Sequence, residues 1–327
     1  MNAKCEINLH NIKYLHFYMA MIIVMYHVGE PALSAISTFD KIMSNRLSDL
    51  FECLTNIAMA YYFMVSGFLL FKGLDLNSYC GKVKRRIKTL AIPYVVWNVI
   101  VFSLKVIVGK LQLKDITTIF DMRYYPPDGP LWYMYCIFLL AMLSPCFLPM
   151  IKNAIPLLLA ASVICNFLLN ECSLGAGYLV NLIHFFPMWL FGGILAKNEF
   201  KMIDAIIAEI IICFSTKNPA SNHLLYLIQI TIVMLCLTTK KSLEVKKIRI
   251  YNYSFLLYVI HGPLIEIGGK VVKYCFFRMS GYVFVATVLS KLFFLVACLV
   301  CCELIYRVLR YIGGSQKLVD LITCGRG

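Results

Sequence analysis

A long apolar run near the end of the chain reads Tyr282-Val-Phe-Val-Ala-Thr-Val-Leu-Ser-Lys-Leu-Phe-Phe-Leu-Val-Ala-Cys-Leu-Val-Cys-Cys302, in which Lys291 is the one charged residue. A helix needs about 20 predominantly apolar residues to cross the hydrocarbon core of a bilayer, and this segment supplies them. Cysteines in such a setting behave as small hydrophobic side chains. Cys298 and Cys301 have partly metal-like spacing, but no His or Asp accompanies them. The segment therefore predicts a membrane-spanning helix and no metal site.

Similar apolar stretches recur along all 327 residues of the chain. Hydrophobic residues make up 61% of the sequence and charged residues 15%, whereas a soluble domain carries roughly 25% charged residues. The loops and tails that remain leave no room for a soluble catalytic domain. We therefore predict an all-α integral membrane protein, a bundle of about ten transmembrane helices that forms a single domain over residues 1–327. The predicted spans are 12–30, 54–72, 89–109, 131–151, 154–170, 178–196, 202–214, 223–239, 253–269 and 282–308.

The net charge of +14 does not indicate nucleic-acid binding, because the basic residues stand in short clusters between apolar spans. Such clusters orient a membrane protein, with Lys and Arg enriched on the cytoplasmic side. If both termini are cytoplasmic, Lys and Arg favour the cytoplasmic segments by roughly two to one. This orientation places loops 29–53 and 110–130 outside the cell. Loop 270–281 is the exception, since it carries three basic residues on the predicted outer face.

The first predicted span contains His16 and His27 and ends in Glu30. Ionisable residues within a span are costly, which makes each of them a functional candidate. His27 and Glu30 are three residues apart and would share one helical face. The carboxylate can then accept one imidazole N–H and leave the other nitrogen as a general base. The alternative is a structural histidine that is bonded to a neighbouring helix.

A second candidate is the basic loop that precedes the third predicted span. Its guanidinium and ammonium groups suit the phosphates of a ligand such as coenzyme A. The alternative is an anchor that orients the chain and contacts anionic lipid. The basic residues concerned are Lys84, Arg85, Arg86 and Lys88.

Two further segments carry candidate residues. Aromatic residues of the loop 121–133, Trp132 among them, can stack on sugar rings, although interfacial aromatic belts are the commoner explanation. In the ninth predicted span, Tyr258 precedes His261 by three residues and repeats the spacing of a histidine and a polar partner.

Taken together and in order, these segments resemble the acyltransferase-3 family, which includes bacterial polysaccharide O-acetyltransferases. Ser66 enters as a candidate through one of the matching motifs. The resemblance rests on Tyr26-His27, Phe63-Met-Val-Ser66-Gly67-Phe-Leu-Leu, Lys84-Arg85-Arg86 through Pro93-Tyr94-Val-Val-Trp97-Asn98, Gly129-Pro-Leu-Trp132-Tyr133, Leu143-Ser-Pro145, Tyr258-Val-Ile-His261-Gly-Pro and the tail Leu321-Ile-Thr-Cys-Gly-Arg-Gly327.

The resemblance implies an O-acyltransferase that moves an acyl group, typically acetyl, from acyl-CoA to a hydroxyl of a cell-surface carbohydrate. Acyl-CoA would be a co-substrate, and no permanently bound cofactor is expected. His27 would be the essential histidine and the basic loop a donor contact, in a bacterial plasma membrane. This chain has His16 where the family has Arg. A transporter or flippase for a lipid-linked sugar, and a family member without activity, stay open as alternatives, as do direct transfer and an acyl-histidine intermediate.

The charge distribution generates a topology prediction. Lys114→Cys should react with a membrane-impermeant maleimide on intact cells, whereas Lys84→Cys should react only after permeabilisation, because the positive-inside rule places residue 84 in the cytoplasm. Labelling is measured above that of the unsubstituted protein. Labelling of position 84 but not 114 from outside would reverse the orientation.

Overall fold

The computed structural model of the chain describes residues 8–29, 37–151, 154–171, 177–197 and 249–313, together with positions 207, 210, 231, 234–235 and 237–238. Every regular element within these residues is a helix, which confirms the predicted all-α class. Turns of 3₁₀ helix cover Leu113–Ile119, Gly129–Leu131 and Arg249–Tyr253, and a π-helix covers Ile87–Ala91. The α-helices are α1 Leu9–His27, α2 Thr38–Phe71, α3 Tyr79–Arg86, α4 Ile92–Ile107, α5 Trp132–Phe147, α6 Ala154–Glu171, α7 Tyr178–Lys197, α8 Ser254–Ser280 and α9 Val283–Gly313.

Six helical segments of the described residues are long and apolar enough to cross a membrane, so the count of about ten is not confirmed. Helix α1 is not among the six, because its polar residues lower its mean hydropathy, and the apolar part of α6, Pro156–Leu169, is shorter than a span. The predicted spans 202–214 and 223–239 lie outside the continuous described ranges. The six are Thr38–Phe71, Tyr79–Ile107, Gly129–Phe147, Tyr178–Lys197, Tyr251–Ser280 and Val283–Tyr311.

Several segments that were predicted as loops are helical. Helix α2 begins at Thr38, inside the predicted loop 29–53, and α8 continues through the predicted loop 270–281 as far as Ser280. Hydropathy measures where a chain is apolar, whereas a helix also accommodates Lys, Arg and Asp on its exposed faces. Helix α8 ends only where Gly281 adopts a left-handed conformation, with φ of 72°, and its N–H bonds to the Phe277 carbonyl.

The chain packs as two compact units. The first unit comprises Met1–Ile12 and Met59–Glu244, and the second comprises Lys13–Ala58 and Val245–Gly327. A single domain over residues 1–327 stays a prediction.

In the first unit, glycines let α2 and α7 approach each other closely. A Cβ atom on Gly192 would overlap the carbonyl oxygen of Met64 and lie 2.9 Å from the backbone nitrogen of Phe68. A Cβ atom on Gly67 would overlap the carbonyl oxygen of Trp189. Helix association in a membrane depends on such small residues, because lipid tails are as apolar as the side chains and provide no hydrophobic drive. The Ser-Gly motif at 66–67 is therefore in part a packing motif.

In the second unit, α8 and α9 form a helical hairpin around Gly281. Asp40, at the start of α2, is buried, and its two carboxylate oxygens accept the N–H groups of Val283 and Phe284, each at 2.9 Å. These N–H groups belong to the first turn of α9, where no intrahelical acceptor is available. Asp40 therefore caps α9 from another helix and ties the start of α2 to it.

The close approach of α2 and α7 predicts that Gly192→Ala lowers stability, because the added methyl group meets backbone atoms that cannot rotate away. We expect a loss of at least about 1–3 kcal/mol, seen as a lower thermal unfolding midpoint in detergent. Gly81→Ala is the matched control, since a Cβ atom there meets nothing within 4 Å and alanine favours a helix. Equal midpoints for the Gly192 variant and the parent would contradict the close packing.

Candidate functional site

His27 occupies the last residue of α1, in the second unit. The chain turns immediately after it, where the Gly29 N–H donates to the His27 carbonyl at 3.0 Å. The His27 side chain is exposed, and its ring contacts Tyr26 and His261. The imidazole therefore lies at a helix end, with part of its surface left uncovered by the described residues.

His261 lies beside His27, although the two are far apart in the sequence. Their ring centroids are 5.0 Å apart and the rings are tilted by 39°. His261 is completely buried on α8. Its Nδ1 lies 3.2 Å from the carbonyl oxygen of Leu257, which can only accept a hydrogen bond, so Nδ1 carries a proton. Nε2 is buried and has no hydrogen-bond partner within the described residues. In the neutral imidazole this nitrogen holds a free lone pair.

Lys291 of α9 reaches the same end of α1. It is buried, and its ammonium donates to the carbonyl oxygens of Met25 at 2.5 Å and Val28 at 2.7 Å. The ammonium also lies over the ring of Phe51, 4.5 Å from its centroid. Sequence analysis located Lys291 within a span but gave it no role. The sequence did contain a signal for such a role, because a lysine within an apolar span is costly and is therefore a functional candidate.

The other candidates of the second unit take different places. Tyr258 is buried one turn before His261, with ring centroids 6.0 Å apart. His16 is buried on α1, about 16 Å from His27 along the helix axis. Glu30 lies outside the described residues, and α1 ends at His27. The pairing of His27 with Glu30 stays a prediction.

The predicted basic loop of the first unit is helical. Helix α3, the π-helix and α4 follow one another without a break. The side chains of Lys84, Arg85 and Lys88 are exposed and make no hydrogen bond or ion pair within the described residues, whereas Arg86 is half-buried. Lys82 has a structural role, since its ammonium donates to two carbonyl oxygens at the end of α2, those of Leu70 in its last turn and Lys72 just beyond it.

The π-helix has a cause in the sequence. Pro93 lacks an N–H group, and its ring crowds the carbonyl four residues earlier, at Thr89. Residues 87–91 adopt the wider π turn directly before it. Short π segments are frequent at functional sites. This one follows Arg85 and Arg86 of α3 and contains Lys88.

The aromatic segment 121–133 divides into an exposed and a buried part. Tyr124 and Tyr125 are exposed. Beside them the Arg123 guanidinium bonds to Asp121 and holds the pKa of that carboxyl below its usual value. Asp128 is buried, and its N–H donates to the side-chain oxygen of Asn98 on α4 at 3.0 Å.

Trp132 and Ser66 are both part of the packing of the first unit. Trp132 is half-buried and stacks on Phe63, with centroids 6.1 Å apart. Ser66 is buried, and its hydroxyl has no hydrogen-bond partner in the described part of the chain. The structure thus brings together His27, His261, Tyr258 and Lys291 in the second unit. Ser66 and Trp132 belong to the first unit, as does the basic helix, the segment of α3 and the π-helix that carries Lys84, Arg85, Arg86 and Lys88. The described residues hold no cluster of His, Cys, Asp and Glu that could bind a metal ion.

Several apolar helices of spanning length indicate a multi-pass membrane protein, and its candidate site contains the exposed His27 beside the buried His261 and Lys291. The sequence matches the Acyl_transf_3 family, described as an acyltransferase domain, over residues 9–307. The protein therefore belongs to the acyltransferase-3 family, as its motifs predicted. No curated protein sequence and no solved structure matches the chain.

Proposed function

We propose that this protein is a membrane O-acyltransferase that moves an acyl group, in the first instance acetyl, from acyl-CoA to a hydroxyl of a cell-surface carbohydrate. The observation that carries the proposal is the exposed His27 packed against the buried His261, in a chain that belongs to an acyltransferase family. The proposal includes a bacterial plasma membrane with both termini in the cytoplasm.

The proposed reaction needs one proton acceptor. As the acceptor hydroxyl oxygen forms a bond to the thioester carbonyl carbon, His27 takes the hydroxyl proton. Collapse of the tetrahedral intermediate breaks the carbon–sulfur bond, and the proton passes from His27 to the departing sulfur. The products are the ester and free coenzyme A, so no oxidant or further co-reactant is required.

His27 is assigned the role of base because it is accessible, whereas His261 is completely buried. His261 is proposed to support it. The bond from Nδ1 to the Leu257 carbonyl fixes the orientation of the His261 ring, and the His27 ring packs against it. Glu30 is the proposed carboxylate partner of His27, and Tyr258 and His16 complete the candidate residues of this unit.

The donor is proposed to bind at the basic helix through Lys84, Arg85, Arg86 and Lys88. Three of these side chains are exposed and are not used in other contacts of the described residues, which leaves their N–H groups available to phosphate oxygens. Membrane lipid surrounds the helices. Trp132 and Ser66 remain candidates for contacts with the acceptor or the acyl chain.

The role of His27 predicts that His27→Ala and His27→Gln both lower the transfer rate by about 10²–10⁴-fold, because neither side chain can accept the proton. Acetyl-CoA binding should be unchanged. Transfer is measured as labelled acetyl incorporated from acetyl-CoA into cell-envelope material by membrane vesicles at equal expression. His184→Gln is the control, since it removes another histidine of a predicted span. Parental rates in His27→Gln would give His27 a structural role.

If the basic helix binds the donor, the double variant Arg85→Ala with Lys88→Ala should bind acetyl-CoA about tenfold more weakly or worse. Each charge-assisted phosphate contact contributes on the order of 1.5–3 kcal/mol. Binding is measured by titration of the purified protein. The double variant Lys114→Ala with Lys270→Ala removes two exposed charges elsewhere and should bind normally. Unchanged affinity in the Arg85 and Lys88 variant would mean that this helix only anchors the protein.

A further inference from the structure

Lys291 is a buried cation in the first third of the apolar helix α9. An ammonium group at that position is costly in a membrane, and natural chains keep such a residue where it performs a task. Two carbonyl oxygens and the face of Phe51 surround the ammonium. Hydrogen bonds to carbonyl groups and a cation–π contact both offset the loss of hydration. The side chain is therefore committed to the end of α1.

The two carbonyl groups lie on either side of His27 in the sequence. Met25 is two residues before His27 and Val28 is one residue after it. The last carbonyl groups of a helix have no intrahelical donor, and in the hydrocarbon region water cannot replace one. One ammonium satisfies two of these groups and so fixes the backbone that carries the His27 side chain.

We propose that Lys291 is the positioning residue of the acyl-transfer site, holding the end of α1 so that the His27 imidazole stays packed against His261 and open to the acceptor. The inference rests on the proposed function of His27. Lys291 touches no reacting atom, and it acts through the backbone of residues 25–28. Its removal should therefore disturb the chemical step and leave donor binding intact.

The first unit contains a matched case. Lys82 also donates to two carbonyl oxygens near a helix end, those of Leu70 and Lys72. The two lysines perform the same stabilising task at different places, and only Lys291 adjoins His27. A comparison of both substitutions therefore separates loss of a helix cap from loss of the position of His27.

The test measures kcat and KM for acetyl-CoA in the parent, Lys291→Met, Lys291→Gln, Lys291→Arg and Lys82→Met. We expect Lys291→Met to lower kcat about 10- to 100-fold, as small displacements of a catalytic group do, with KM within about threefold of the parent. Lys291→Gln, which keeps a donor, should fall in between, and Lys291→Arg, which keeps the charge, should recover most of kcat. Lys82→Met should lower the unfolding midpoint but not kcat at saturating donor.

Three kinetic results would overturn the proposal: parental kcat in folded Lys291→Met, equal kcat in the Gln and Arg variants, or a loss of kcat in Lys82→Met as large as in Lys291→Met. If Lys291→Met does not fold, the Gln and Arg variants decide by the same ranking. Hydrogen exchange provides a measurement that does not need acyl transfer. Peptides covering residues 21–29 should exchange faster in Lys291→Gln than in the parent, because the amides of Val28 and Gly29 bond within this turn. Absence of transfer in the parent would refute the function, and unchanged exchange would refute the positioning role.

Discussion

The structure of the second unit depends on one constraint: a buried helix end must find its hydrogen-bond partners within the protein. Helix α9 meets this constraint twice. Its Lys291 donates to the last carbonyl groups of α1, and its own first N–H groups are accepted by Asp40 of α2. Helix α9 therefore fixes the end of α1 and the start of α2. His27 lies between the two carbonyl groups that Lys291 holds, and its ring contacts His261 of α8.

The same requirement divides the basic residues of the first unit into two groups. Lys82 and Lys197 each donate to carbonyl groups at or just past the end of α2, so they are part of the fold. Lys84, Arg85 and Lys88 have exposed side chains that make no such bonds within the described residues. A count of positive charges treats all five alike. Once the helix ends are satisfied, only the second group keeps donors that can serve a phosphate-bearing ligand.

Sequence analysis predicted the helical class and the family because both are recorded in local patterns, in apolar length and in short motifs. It misplaced the boundaries of α2 and α8, since polar residues at a helix end look like a loop to a hydropathy average. It could not pair His27 with His261, because no periodicity connects residues on separate helices. Ser66 was singled out for chemistry, whereas its neighbour Gly67 has the clearer role in the close contact with α7.

The exposed histidine and the buried lysine are two consequences of the same helix end. His16, inside α1, is buried, whereas His27, the last residue of the helix, is exposed. The chain leaves the helix directly after His27. The same break removes the intrahelical partners of the last carbonyl groups. A helix that ends at His27 therefore requires a donor from elsewhere in the protein, and Lys291 supplies it to two carbonyl groups.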